Sequence, residues 1–238
     1  MMKKTTFADR VLQFNEELSH QFLSLPKGFS IVNPFISAQK EQVKQVTALF
    51  YQKYYNDGNS RRLILGSSPA RRGTAVTGIP FEDATHLQKE TGIYIDKFFI
   101  NKSSSGFLYE VMNEYGGCSK FYTDFYMSFV CPLGIAKMNP KGNEVNCNYY
   151  ENKKLLKTLS PFIVNMLRRQ INFGIDTSVC YCIGSGENYN FLSEINKKYN
   201  FFGLILPLEH PRFIMQYHLK DKEKFLKKYM DAFCNYKS

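Results

Sequence analysis

The stretch that decides the fold is RRLILGSSPARRGTAVTGIPFED, which spans residues 61–83. It starts as a short apolar run, which predicts a buried strand over 61–66. The eighteen residues from Gly66 onward contain three glycines, two prolines and two adjacent arginines. Ordinary connections between secondary-structure elements are shorter and contain fewer glycines, prolines and charged residues. This segment therefore predicts a functional loop at the end of a buried strand.

The rest of the chain alternates short apolar strands with amphipathic helices. Further strands are predicted at 125–133, 177–186 and 201–212. Helices are predicted at 7–23, 38–55, 84–91, 107–115, 151–171, 188–199 and 221–233. Pro161 is expected to bend or divide the longest helix, and the segment 26–37, with two prolines, is expected to be a loop.

This alternation indicates a parallel sheet that is covered on both faces. The predicted fold is therefore α/β, a three-layer α/β/α sandwich with a central four-stranded parallel sheet. One domain over 1–238 is expected, with N-terminal helices in 5–57 packed on an α/β core in 61–236. Ligands of such sheets bind beyond the carboxyl ends of the strands. These ends run into GSSPARRG, CPLG, IGSGEN and EHPR, so this rim is the expected working face.

Familiar phosphate loops and nucleophile motifs are missing from these strand ends. The first loop lacks the Gly-Lys-Ser/Thr ending of a P-loop, and IGSGEN lacks the third glycine of a dinucleotide site. There is no Gly-x-Ser-x-Gly elbow for a hydrolase triad. His210, next to Pro211, could donate a hydrogen bond to charge that develops on a substrate. For an isolated His-Pro pair, a histidine bonded to a nearby carbonyl is the simpler alternative.

Composition points to a polyanionic partner. Formal charge is +10, which favours nucleic acid first and an anionic membrane second, although a general basic drift of the surface would give the same value. The start, MMKKTTFADR, has no apolar leader, and no apolar run reaches the length of a membrane span. The six cysteines have no zinc spacing and are expected to be reduced. A cytoplasmic monomer without metal or cofactor is expected.

Four motifs, in order along the chain, resemble those of the single-strand-selective monofunctional uracil-DNA glycosylases, in their bacterial second subfamily within the uracil-DNA glycosylase superfamily. The family places Tyr-Asn-Pro before the first strand, then Gly-x-Asn-Pro, a glycine and Thr-Gly-Val-Pro-Phe, then Cys-Pro-Leu, then His-Pro. The corresponding residues are Val32-Asn33-Pro34, then Gly66, Ser68-Pro69, Gly73 and Thr77-Gly78-Ile79-Pro80-Phe81, then Cys131-Pro132-Leu133, then His210-Pro211. The match spans about residues 30–220.

The resemblance implies excision of a damaged base that is flipped into a pocket at the sheet rim. It implies that Phe81 stacks on this base and that His210 bonds the base carbonyl as the glycosidic bond breaks. Asn33, Gly66 and Ser67 are expected to contact the base as well. Arg71 and Arg72 are expected along the DNA backbone and Arg212 at the start of the wedge loop; solvated surface charge is the alternative for these arginines.

Two residues depart from the family pattern. Ser68 stands where the family's asparagine positions the attacking water, and Phe129, with Ser128 adjacent, stands where an asparagine reads the pyrimidine edge. No amide is left at these positions to read uracil, so strict uracil specificity is not expected. Asp83 could orient the water in place of the amide, or could simply cap the following helix. Glu82 is the other acid close to the loop.

The predicted function is a monofunctional DNA glycosylase that acts on deaminated or oxidised bases with water as the nucleophile. No lysine stands in the motifs to form a Schiff base, and the cysteine spacing does not supply an iron–sulfur cluster. Two alternatives remain: a glycosylase fold with lost chemistry that binds damaged or single-stranded DNA, and a hydrolase of free nucleosides or nucleotides.

Overall fold

The computed structural model describes residues 5–71, 73–82, 84–92 and 105–236. The strands are β1 (Phe29–Val32), β2 (Arg61–Gly66), β3 (Phe125–Phe129), β4 (Gly134–Met138), β5 (Glu144–Cys147), β6 (Ile175–Ile183) and β7 (Leu204–Leu208). The helices are α1 (Phe7–Ser19), α2 (Lys40–Tyr55), α3 (Thr74–Thr77), α4 (Ala84–Thr91), α5 (Ser105–Glu114), α6 (Cys118–Asp124), α7 (Lys153–Ile171), α8 (Glu187–Tyr199), α9 (Pro211–Tyr217) and α10 (Lys222–Cys234).

The main sheet has four parallel strands in the order β3-β2-β6-β7, which confirms the predicted architecture. All six residues of β2 are buried. Because successive side chains of a strand point to opposite faces, both faces of this sheet must be covered, and helices flank it. The carboxyl end of β2 lies beside that of β3, with Gly66 paired to Phe129.

A second, antiparallel sheet in the order β1-β4-β5 was not predicted. The segment 26–37 is therefore not only a loop: it contains β1 and a 3-10 turn at Pro34–Ile36. Strand β1 exists because it pairs with β4, for example Ile31 with Ile135. Such a distant pairing leaves no local pattern in the sequence. This small sheet matters for function because it carries β5 to the working rim.

Several predicted boundaries need correction. Helix α7 is a single element, so Pro161 does not divide it. Pro161 and Lys157, whose carbonyl would have bonded the missing N–H, are both exposed, so water can replace that bond. Helix α1 ends at Ser19 rather than at residue 23, and Phe22, within the predicted helix, is 94% exposed. Strand β7 ends at Leu208, and the segment after it forms α9.

Two arginines at the amino end of β2 are buried. The Arg61 side chain is 1% exposed, pairs with Asp57 at 2.8 Å and donates from Nε to the Tyr122 carbonyl at 2.7 Å. The Arg62 guanidinium lies 4.4 Å from the centre of the Phe125 ring and donates to the Tyr181 hydroxyl at 2.9 Å. These cations are bound inside the protein rather than displayed on its surface.

None of the helices in the described ranges combines the length and the apolar character that crossing a membrane requires. All six cysteines are unpaired, and four of them are buried.

Candidate active site

A cleft of about 390 Å³ opens at the carboxyl ends of β2 and β7, beside the turn that follows β5. It brings together four of the residues singled out in the sequence: Ser67, Ser68, His210 and Arg212. The other residues that line it are Pro69, Ala70, Asn146, Cys147, Asn148, Tyr150, Phe213, Gln216 and Tyr217. The expected working rim of the sheet therefore carries an open site.

His210 is placed and polarised by the start of α9. Its Nδ1 accepts a hydrogen bond from the backbone N–H of Arg212 at 3.1 Å, which makes His210 the N-cap of the helix and Pro211 its first residue. An accepting Nδ1 assigns the proton of the neutral ring to Nε2. Burial, and then the charge of Arg212, lowers the pKa of His210 to about 4, so the ring is neutral at pH 7.

The Nε2 atom of His210 has no hydrogen-bond partner among the described residues. A neutral imidazole with a free N–H can donate to an oxygen on which negative charge develops. The geometry therefore fits an electrophilic rather than a basic role for His210.

The loop after β2 is held in place by backbone hydrogen bonds from the exit of β3. Val130 N–H donates to the Gly66 carbonyl at 2.8 Å, and Cys131 N–H donates to the Ser67 carbonyl at 2.9 Å. The Ser67 hydroxyl donates to Asn148 Oδ1 at 3.1 Å. The Ser68 hydroxyl, by contrast, makes no hydrogen bond within the described part of the chain. Ser68 is thus free to bind something in the cleft.

Two asparagines of the cleft were missed in the sequence. Asn146 lies in β5 and accepts from the Arg71 backbone N–H at 2.9 Å, which ties the glycine-rich loop to the small sheet. Asn148 follows β5 and contacts Ser67. The run NEVNCNYYEN, residues 143–152, is unusually rich in amides and was the available indication. It was overlooked because the strand that delivers it was not predicted.

Phe81 and Phe129 form a stack beside the cleft but are not part of its lining. Their ring centres are 5.2 Å apart with an interplanar angle of 28°. A Cβ on Gly66 would lie 2.6 Å from Phe81 Cζ, so only glycine permits this ring position. Phe81 has a φ of +63°, an uncommon value for a bulky residue, and its N–H donates to Thr74 Oγ1 at 3.0 Å.

Three further predicted base-binding residues are absent from the lining of the cleft. Ser128 and Phe129 line a separate cavity of only about 20 Å³, which has room for about one water molecule. Asn33 is buried, and its amide is occupied: Nδ2 donates to the Leu18 carbonyl at 2.8 Å and Oδ1 accepts from Phe35 N–H at 3.0 Å. Asn33 is therefore an amide that binds its own chain in the interior rather than one presented to the cleft.

The predicted DNA-binding arginines differ in their surroundings. Arg71 forms a surface ion pair with Glu144 at 3.2 Å. Arg212 is exposed at the mouth of the cleft and donates from Nε to Gln216 at 3.2 Å. Arg72 and the candidate catalytic Asp83 lie outside the described residues.

Two aromatic side chains of α9, Phe213 and Tyr217, are exposed next to Arg212, at 42% and 68%. The sequence did not reveal them, because α9 itself was not predicted. Glu82, the other acid considered, is 2% exposed and accepts hydrogen bonds from Tyr109 at 2.6 Å and Tyr122 at 2.8 Å. Its carboxylate is committed to this buried cluster.

Metal ligands are not grouped in the described residues, which contain no cluster of three or more His, Cys, Asp or Glu side chains arranged to hold an ion. The chemistry visible in the cleft is that of hydroxyls, amides, a neutral imidazole and an arginine.

A parallel α/β sheet with a Gly-x-Ser-Pro loop and a His-Pro helix cap at its carboxyl rim defines a glycosylase-type architecture. The family model of the Uracil DNA glycosylase superfamily matches residues 52–234, and the chain belongs to that superfamily. The fold is similar to the crystal structure of WT Pedobacter heparinus SMUG2, with 45% identity, a TM-score of 0.91 and coverage of 98% of this chain and 97% of the other. No curated protein matches the chain.

Membership in this superfamily confirms the resemblance found in the sequence and assigns the chain to the DNA glycosylases, which are hydrolases of DNA repair. The family implies DNA as the class of substrate.

Proposed function

We propose that this protein is a monofunctional DNA glycosylase that removes a deaminated or oxidised base by attack of water at the glycosidic carbon. The observation that carries the proposal is the neutral His210, whose Nε2–H points to no partner among the described residues while the ring lines an open cleft. The proposed enzyme acts as one domain and as a monomer in the cytoplasm.

In the proposed reaction, the bond between C1′ and the base nitrogen breaks and its electron pair leaves with the base. Negative charge then collects on a carbonyl oxygen of the base, where the His210 Nε2–H donates a hydrogen bond. Removal of one such donor typically costs 10²- to 10³-fold in rate. The low pKa of His210 supports this role, because a ring that stays neutral at pH 7 needs no proton transfer before it acts.

No lysine lines the cleft among the described residues, so a Schiff base with the sugar is not expected. This supports water as the nucleophile and a monofunctional enzyme without lyase activity.

Base selectivity is proposed to be broader than for uracil alone. Position 129, where the resemblance puts a reading amide, has a phenyl ring that packs on Phe81. A phenyl ring offers stacking area but no donor or acceptor, so it cannot read the pyrimidine edge by hydrogen bonds. The same stack supports a second candidate function, a DNA-binding protein with weak or lost chemistry, because Phe129 covers the face of Phe81 nearest to it.

A cleavage assay separates these functions. Single- and double-stranded oligonucleotides that carry uracil, hydroxymethyluracil, hypoxanthine or xanthine are incubated with the protein, and abasic sites are then cut with alkali. We expect strand cleavage for at least one base and a loss of about 10²- to 10³-fold for His210→Ala.

The matched control is His20→Ala. His20 is an exposed histidine at the end of α1 whose Nδ1 contacts the Glu16 carbonyl at 2.8 Å, and it does not line the cleft. Its substitution should leave cleavage unchanged. Tight binding of damaged DNA without cleavage of any substrate would contradict the enzyme and favour the binding protein; cleavage of free nucleosides but not DNA would favour a nucleoside hydrolase.

A further inference from the structure

We propose that Asn148 is the amide that orients the attacking water, at a place in the cleft where position 68 offers only a hydroxyl. This inference rests on the proposed glycosylase function and extends it to a catalytic residue that none of the four motifs contains. His210 gives the cleft a hydrogen-bond donor for the leaving base, but the motifs supply no strong group to orient the attacking water. The Ser68 hydroxyl rotates and holds water less firmly than an amide.

The Asn148 side chain is held in place on several sides. Its Oδ1 accepts from the Ser67 hydroxyl at 3.1 Å. Its backbone N–H and Nδ2 both approach Glu151 Oε1, at 2.8 and 3.4 Å. The Glu151 carboxylate is in turn paired with Lys137 at 2.6 Å. Burial acts to raise the pKa of Glu151, but the bonds from Lys137 and the Asn148 N–H outweigh it, so the pKa is lowered and the carboxylate stays ionised. The plane of the amide is therefore fixed before any substrate arrives.

This fixed amide lines the same cleft as Ser68 and His210. A carbonyl oxygen accepts two hydrogen bonds, so Oδ1 can bind a water molecule while it keeps the bond from Ser67. The Ser68 hydroxyl, which has no partner among the described residues, can hold the same water from a second direction. The held amide would set the direction of the water and the Ser68 hydroxyl would adjust to it, so that a lone pair of the water turns towards the sugar, which is the entropic part of catalysis.

The balance of the step needs no strong base. The C1′–N bond breaks with its electron pair going to the base, and the water oxygen forms the new bond to C1′ of a sugar that has become cation-like. The proton that the water loses passes through solvent to the departing base anion. The products are the free base and an abasic sugar, and Asn148 stays neutral throughout.

The first test compares single-turnover rates of Asn148→Ala, Ser67→Ala and the double variant with saturating enzyme. We expect about a 10²-fold loss for Asn148→Ala, the size of a lost water-activating group. Ser67→Ala, which removes one neutral hydrogen bond of about 1 kcal/mol, should lose only about fivefold. If Asn148 merely anchored Ser67, the two single variants would lose the same amount and the double variant no more, and the proposal would be wrong.

The second test is Asn148→Asp. A carboxylate keeps the accepting oxygen, so the rate at pH 8 should stay within about tenfold of wild type. The rate should then fall at low pH as the new carboxyl group becomes protonated. Its pKa should be higher than that of a free aspartate, because Glu151 is adjacent and two neighbouring carboxylates disfavour ionisation of both. A purely structural Asn148 would give no such fall. The far-UV circular dichroism spectrum should stay that of the wild type in every variant, which shows that the variants fold. The thermal midpoint of Asn148→Asp should fall at pH 8, because its carboxyl has a raised pKa beside Glu151 in the folded chain.

The outcomes separate the two proposals. A wild-type chain that binds DNA but cleaves no substrate overturns the glycosylase and Asn148 together. A wild-type chain that cleaves while Asn148→Ala cleaves equally fast overturns only the role of Asn148.

Discussion

Polar residues lie at both ends of β2, and the two ends differ in whether these residues have partners within the protein. At the amino end, Arg61 and Arg62 are buried, and both are bound by carbonyls, aromatic faces or an aspartate. At the carboxyl end, Ser68 faces an open cleft without a partner among the described residues, and so does the Nε2 atom of His210, which follows β7 at the same rim of the sheet. The amino end has more charged side chains, yet the carboxyl end has the polar groups that are available to bind a substrate.

The difference shows that a ligand-binding site is recognised by polar side chains that lack partners within the protein, rather than by the charge of those side chains. A buried cation is tolerated only when its partners are in place, and each partner then holds the fold together. A polar group in a cleft that has no hydrogen-bond partner contributes little to the fold and is available to a ligand. Substitutions at the two ends should therefore separate stability from activity.

The largest expected effect is on stability, at the amino end. Arg61→Met keeps the apolar stem but leaves the Tyr122 carbonyl without this donor and Asp57 without its cationic partner, so we expect a loss of about 3 kcal/mol in the free energy of unfolding. Urea denaturation measures this loss, and the cleavage rate per folded molecule should not change. The comparison variant is Arg71→Met, which breaks a surface ion pair and should lose less than about 1 kcal/mol.

Equal losses for the Arg61 and Arg71 variants would remove the distinction between a bound and a displayed arginine. So would a loss of activity in the folded fraction of Arg61→Met.

A smaller effect is expected at the carboxyl end, where Arg212 is exposed beside the cleft. Arg212→Ala keeps the backbone N–H that orients His210 but would remove the proposed contact to a DNA phosphate. DNA binding should weaken by about three- to tenfold and the dependence of log K on log salt should fall by about one unit. The matched variant is Arg168→Ala, whose guanidinium lies 5.1 Å from the centre of the Tyr199 ring and outside the cleft. An unchanged salt dependence in Arg212→Ala would contradict a phosphate contact.

Much of the working rim could be predicted from the sequence because its parts are local. The run 61–66, the loop after it and the His-Pro pair are each read from a few neighbouring residues. Helix α9 was missed although His210-Pro211 is a cap followed by a first-turn proline, a common start of a helix.

The features that could not be predicted from the sequence depend on contacts between residues that are far apart along the chain. Asn148 reaches the cleft through a sheet made by pairing Ile31 with Ile135 and Ile135 with Cys147. Arg61 is buried because Tyr122, far along the chain, supplies a carbonyl. Asn33 carries a family motif, yet its amide caps a turn and binds Leu18. No local pattern distinguishes an amide that binds its own chain from one that waits for a ligand.

The central claim is that a neutral His210 donates to the leaving base, and the pH profile of the single-turnover cleavage rate tests it most directly. Below pH 6.5 the unfolded chain binds a proton at His210 that the native ring does not accept until about pH 4, so this residue also makes stability fall over that range. The folded fraction must therefore be followed by circular dichroism at each pH. His210→Gln, which keeps an N–H donor but does not titrate, is the reference.

We expect a wild-type rate that stays level from pH 8 to about pH 5 and then falls with an apparent pKa of about 4, while the residual rate of His210→Gln lacks this limb. A rate that falls with a midpoint near 6.5, or one that rises as the imidazole becomes protonated, would contradict the neutral donor.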